Sequence, residues 1–246
     1  RMMRRTRLTF LAALGLYVAA LLLPRDAPET TATVPLDMTG IDELEVVSDS
    51  SVNVRLDAAS ANWLDYPPGK DHHVTVTREG RRLRIVSDVP GYRPLDISIR
   101  PTVGKLVVRD ASIVAGPVLE AMVVETTGAI EWRGSVTDLT VVDLNPWYDH
   151  AAADPAAVPA NGAEAAAAAA ADAFAARLDI ESGRIQNLSV TTRGSVVTLA
   201  DPDTLGRITL TLGQRARYSI GSASRIPDIT LLPHPADAQA PEAKQP

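Results

Sequence analysis

There is no cysteine anywhere in this chain of 246 residues. That absence excludes a disulfide-stapled scaffold, thiolate zinc and iron–sulfur sites, a thiol nucleophile and a lipid-modified lipoprotein cysteine. Aromatic residues are scarce, at 4%, so aliphatic side chains must fill the interior. Basic residues are outnumbered, 24 Lys and Arg against 30 Asp and Glu, and Arg1, Arg4, Arg5, Arg7 and Arg25 sit in a first stretch with no acid. The remainder of the chain is therefore more acidic than the net charge of -6 suggests, and such a surface repels DNA, RNA and anionic lipid headgroups. No nucleic-acid partner is expected. No G-x-S-x-G elbow occurs either, which removes the usual setting of a serine hydrolase triad. Wholesale disorder is excluded by a hydrophobic fraction of 46%.

What is present begins with a targeting element. The basic flank Arg1–Arg7 precedes the uncharged run Leu8–Leu23, closed by Pro24 and Arg25. A basic flank before an apolar run keeps the flank in the cytoplasm and sends the rest across. As a helix the run would reach roughly 24 Å, short of the ~30 Å hydrocarbon core and long for a cleaved signal. Both a signal anchor and a cleaved signal peptide remain open, with Val18-Ala19-Ala20 as a cleavage point. Either way residues 1–25 form the export segment, and the expected location is the periplasm or cell envelope, with the inner membrane as a partner through residues 8–23 if uncleaved. Residues 26–40, rich in Pro, Thr and Ala, are expected to be a linker.

From Ile41 the pattern takes period two. Leu44, Val46 and Val47 precede the turn cluster Ser48-Asp49-Ser50-Ser51, and Val52, Val54 and Leu56 come next in alternation with polar residues. Glu79-Gly80 is a tight turn between two more strands. Further on an internal repeat appears. Its units start near Lys105, Ala121, Asp138, Asn187, Arg207 and Asp228, and they place Leu106, Met122, Leu139, Leu188, Ile208 and Ile229 in equivalent positions. Small-residue corners such as Thr127-Gly128-Ala129 and Arg193-Gly194-Ser195 separate the strands of a unit, with glycine expected to supply unusual φ angles there. One such unit buries too little surface alone; stacked, the units share a dry column. The expected fold is all-β, a right-handed parallel β-helix (β-solenoid) over residues 41–232, with one N-terminal apolar helix; an antiparallel sandwich is the alternative.

The order IDELEVVSDSSVNVRLD, then VTREGRRLRIVSD, then LDISIRPTVGKLVVRDAS, then repeats with small corners, resembles the putative auto-transporter adhesin head GIN domain family of exported bacterial proteins. The resemblance covers roughly Ile41–Leu232. It implies a membrane-directed leader before a β-helical domain, and it carries no catalytic residues to transfer. The chain departs from the pattern at Asp110-Ala111-Ser112, where a glycine corner is missing, and in an insertion at about 145–177. That insertion is mostly alanine from Ala151 to Ala176, and Glu164–Arg177 has the highest helix propensity in the chain, so a partly helical insertion is expected. Residues 233–246 are expected to be a disordered tail.

Candidate chemistry is sparse. Asp71-His72-His73 offers metal ligands, but neighbours on a strand point to opposite faces; Asp149-His150 is weaker. No cofactor or metal is expected. Polysaccharide enzymes need two opposed acids, for which Asp110, Glu120, Glu125 and Glu131 are the outward carboxylates to consider. Trp63, Tyr66, Trp132, Trp147 and Tyr148 are able to stack on a sugar or peptide. Trp132 fits a packed position; Trp63 and Tyr66 fall in an expected exposed loop, Trp63–Pro68, and with Trp147 and Tyr148 are the candidate ligand contacts. The sequence therefore points to an exported, non-enzymatic module for binding, adhesion or envelope structure, tethered to the membrane if its leader is uncleaved, its partner an unknown envelope protein or glycan. The alternatives are a polysaccharide-processing enzyme and an accessory or sensor subunit of an envelope complex.

Overall fold

A computed structural model describes residues 31–58, 61–69, 72–91, 93–145, 176–224 and 227–235. Contacts divide the chain at Thr31/Ala32, and all the described strands belong to the unit from Ala32 onward. The expected N-terminal helix, Trp147, Tyr148 and most of the insertion lie outside the described residues. Arg177, included in the expected insertion helix, opens a strand instead.

Sixteen strands join in one mixed sheet. In chain order they are β1 (Ala32–Pro35), β2 (Glu43–Ser48), β3 (Val52–Leu56), β4 (Trp63–Tyr66), β5 (Val74–Glu79), β6 (Arg82–Ser87), β7 (Leu95–Ile99), β8 (Lys105–Val108), β9 (Ala111–Thr126), β10 (Ile130–Asp143), β11 (Arg177–Ser182), β12 (Ile185–Thr192), β13 (Val196–Leu199), β14 (Leu205–Leu212), β15 (Arg217–Ile220) and β16 (Asp228–Pro233). Beside the strands a 3₁₀ turn lies at Pro202–Thr204, and among the described residues no helix is long and apolar enough to cross a membrane. The long strands β9 and β10 each belong to two ladders. Their first halves sit in a wing ordered β1-β4-β7-β3-β9-β10-β11-β13-β15; their second halves sit in a wing ordered β5-β6-β2-β8-β9-β10-β12-β14-β16. The buried faces of both wings contribute to one core.

This corrects the expected fold. A uniform right-handed parallel β-helix winds in one direction and adds strands in chain order. Here β1–β4, β4–β7 and β5–β6 are antiparallel, and β3 lies between β7 and β9. The physical cause is local. Gly80 (φ +65°) and Arg81 form a two-residue loop, with glycine at the position where a type II′ turn needs positive φ, and such a loop reverses the chain. The expected linker also contributes a strand, since Ala32–Pro35 pairs with β4.

The apolar columns exist, with one shift of register. Met122, Leu139, Leu188, Ile208 and Ile229 align strand on strand. Leu106 does not join them; it faces Val124, and Leu44 faces both Leu106 and Leu83. Alternation fixes this, because a slip by two residues keeps every aliphatic on the buried face.

The corners do not work as expected either. Among the described residues the positive-φ glycines are Gly40, Gly80, Gly134 and Gly183, and Gly128, Gly194 and Gly213 are not among them. Gly128 and Gly213 are small because a Cβ would meet the backbone of Arg109 or Arg193. The turn itself is held by a polar side chain that ends the strand and accepts the N–H two residues on: Ser48 from Ser50, Ser87 from Val89, Thr126 from Gly128, Asp143 from Asn145 and Thr192 from Gly194. These are Asx- and ST-type turns, and they stack, with Ser48 opposite Ser87 and Thr126 opposite Asp143. Buried Asp143 also accepts from the hydroxyls of Thr192 (2.7 Å) and Ser195 (2.6 Å).

Candidate functional site

Burial of Leu64 turns its neighbours Trp63 and Asp65 to the outer face of the first wing, where both are half-buried. The same alternation places Asp96, Asn53, Ser112, Glu131, Asp179 and Thr198 on that face, each between buried aliphatic or Trp neighbours. The registers align them in one row: Asp65 opposite Asp96, Asp96 opposite Asn53, then Ser112, Glu131, Asp179 and Thr198. Trp63 faces Ser98 in the adjoining row. Opposed carboxylates such as Asp65 and Asp96 are unfavourable across a strand pair, and the Asn53 amide offsets this by donating to Asp96 Oδ1 at 2.7 Å.

Buried polar atoms are normally hydrogen-bonded. On this face Asp65 Oδ1, Ser98 Oγ and Asp179 Oδ1 are buried and have no hydrogen-bond partner within the protein; Ser98 is 1% exposed. Further along, Arg133 on β10 is ion-paired to Glu131 and reaches Glu181 of β11 at 2.7 Å. The hydrogen bond from Arg133 holds the Glu181 carboxyl below its ordinary range, and Glu181 in turn raises Arg133.

The second wing offers a different surface. Its outer rows interlock Arg82 with Glu43 (2.7 Å) and Lys105 with Glu125 (3.0 Å), with Arg84 beside Glu45. Beside them lies an open groove of about 310 Å³ whose walls include Val47, Val86 and Leu144. Arg84 Nε is buried here without a hydrogen-bond partner too, and on the first wing Asp179 is itself ion-paired to Arg177 at 3.6 Å.

The residues singled out in the sequence are dispersed by the fold. Trp63 stands on the outer face of the first wing, but the segment is strand β4 and not a loop, and Tyr66 packs against the core. Trp132 is fully buried, its indole N–H donating to the Gly134 carbonyl at 3.0 Å. Glu125 and Glu131 lie on different wings, each in an ion pair. Asp110 accepts the Ala129 N–H at a corner, and Glu120 is exposed on β9. Asp71, Asp149 and His150 lie outside the described residues. His72 Nδ1 sits 2.8 Å from the Pro67 carbonyl, and the His73 N–H donates to Asp88. Among the described residues no three His, Cys, Asp or Glu converge on a metal-sized site. Sequence reasoning missed Asn53, Asp96, Ser98 and Asp179. Their signal was a polar residue between aliphatics, as in Leu95-Asp96-Ile97 and Leu178-Asp179-Ile180.

No family model and no curated protein matches the chain, so the resemblance drawn from its motifs stands without a family match. Solved structures do match. A Bacteroides fragilis NCTC 9343 protein described as a "putative adhesin" aligns with TM-score 0.45 and 9% identity, over 83% of this chain and 97% of that one. A "putative cell adhesion protein" of Clostridium sporogenes ATCC 15579 aligns with TM-score 0.30 and 9% identity, over 82% and 98%.

Proposed function

We propose that this chain is an exported, non-catalytic binding module of the cell envelope, and that it takes an extended glycan along the outer face of its first wing. The observation that carries this reading is the row of polar side chains aligned by register, Asp65, Asp96, Asn53, Ser112, Glu131 and Asp179, on the face that holds Trp63. A ligand that answers them must donate several hydrogen bonds and also offer an apolar surface to an indole. A pyranose does both: its hydroxyls donate, and its C–H face stacks on an aromatic ring. Five inter-strand steps separate β4 from β11, which at about 4.8 Å each is roughly 24 Å, a span suited to an oligosaccharide over a monosaccharide. Export rests on Arg1–Arg7 followed by Leu8–Leu23.

The enzyme alternative has less behind it, since Glu125 and Glu131 are apart and Asp65 and Asp96 lie side by side on one surface, not on two sides of a bond. Binding of the full chain to a panel of envelope and surface polysaccharides, followed by calorimetry, tests the proposal. Trp63→Ala should weaken the best ligand by roughly thirtyfold, the ~2 kcal/mol typical of an aromatic anchor, with circular dichroism unchanged. Equal affinity in that variant, or no glycan bound at all, would overturn it. Turnover lost in Asp65→Asn would favour the enzyme instead.

A further inference from the structure

Negative charge on the outer face of the first wing is answered at one end and left open at the other. At the far end Glu131 is ion-paired to Arg133, and Asp179 to Arg177 at 3.6 Å. At the end that holds Trp63, Asp65 on β4 stands opposite Asp96 on β7. Among the described residues neither of these two carboxylates is ion-paired; the Asn53 amide donates to Asp96, but a neutral amide leaves the charge in place. Their other neighbours in register bring no cation to them. Thr33 faces Asp65 from β1, and Arg55 on β3 faces Ser98, one row over. Trp63 lies two residues from Asp65 on the same strand, and so on the same face. Ser98, 1% exposed, stands opposite Trp63, and its Oγ has no hydrogen-bond partner within the protein. This corner of the face therefore sets an indole beside two like charges and a hydroxyl that lacks a partner.

We infer that this corner is a subsite for a protonated amine, so that the glycan taken by the first wing is one that carries free amino sugars. The inference rests on the glycan reading above and adds the charge of the ligand. Like charges directly opposite each other across a strand pair cost free energy. An ammonium set between Asp65 and Asp96 relieves that repulsion, and its three N–H groups form charge-assisted hydrogen bonds with the carboxylates. The neighbouring indole of Trp63 then takes the C–H face of the sugar or the cation itself. An acidic sugar would meet Asp65 and Asp96 as like charges. An N-acetylated sugar would place an uncharged amide there and leave the repulsion as it stands. The net charge of the chain, -6, adds a longer-ranged attraction for a cationic chain.

The test is calorimetry of the full chain with two probes of equal length, a glucosamine hexasaccharide and its fully N-acetylated counterpart. The free-amine probe should bind roughly tenfold tighter, the size of one hydrogen bond to a charged group, and high salt should shrink that preference. Asp65→Asn should remove most of the preference, and because it also removes the repulsion with Asp96 the variant should fold at least as stably as the parent. Glu120→Gln takes one negative charge from an exposed site on β9 and should keep the preference. Equal affinity for the two probes, tighter binding of the N-acetylated one, or a preference that Asp65→Asn leaves intact would each overturn the inference. So would a preference that Glu120→Gln reduces as much as Asp65→Asn, which would assign it to net charge alone. Failure of the amine subsite is distinct from failure of the glycan reading: if neither probe binds while another glycan of the panel does, or if Trp63→Ala weakens two probes that bind equally, the amine subsite falls and glycan binding stands.

Discussion

A carboxylate group taken out of water costs free energy unless hydrogen bonds or ion pairs replace its hydration. Asp143 meets that condition at a corner with two hydroxyls and a backbone N–H. Asp143→Ala leaves Thr192 and Ser195 buried without it and should cost about 3 kcal/mol, read from the shift in urea midpoint at constant slope. Gly183 is another single-residue constraint. Its φ is +110° and a Cβ would run into the Gly134 carbonyl, so Gly183→Ala should destabilise by about 2 kcal/mol or more; a change under about 0.5 kcal/mol would show that this bend is soft. Neither residue was legible in the sequence. A Ser, Thr or Asp at the end of an apolar run looks like an ordinary turn residue, and only the stacking of such ends shows that the strand-ending side chain, not the glycine beside it, holds each corner.

At the scale of the element, alternation was enough to find most strands, because a half-buried strand must place apolar residues at every second position. The Glu79-Gly80 turn was legible for the same reason. Strand β4 was missed because Trp63-Leu64-Asp65-Tyr66 is short and ends in Pro67-Pro68, so its turn chemistry outweighed its pattern; pairing on both sides makes it a strand. Charge at this scale is modest in effect. The Lys105–Glu125 pair is partly exposed, and Lys105→Ala should change stability by less than about 1 kcal/mol. The Arg133–Glu181 link sets a pH dependence with a definite sign. Glu181 titrates lower folded than unfolded, so its contribution is present at neutral pH and lost as acid protonates the folded carboxyl. The stability gap between the parent and Glu181→Gln should therefore close as the pH falls below the ordinary glutamate range, and a gap that widened there would contradict the assignment.

For the whole molecule, repeat spacing pointed correctly to an all-β chain with aliphatic columns, but not to its topology. Parallel and antiparallel neighbours demand the same period-two pattern, so the sequence of the strands could not show that β4 and β5 run against the direction of the rest. The proposed ligand face was likewise half legible: Trp63 stood out as an aromatic, while its polar companions come from strands distant in sequence, and only register brings them together. Glycan binding on the first wing is tested most directly by hydroxyl-radical footprinting of the full chain with a saturating glycan and without it. Trp63 should become protected, while Val47, Val86 and Leu144 on the second wing keep their reactivity. Protection of that groove with Trp63 left as reactive as before would contradict the proposed face.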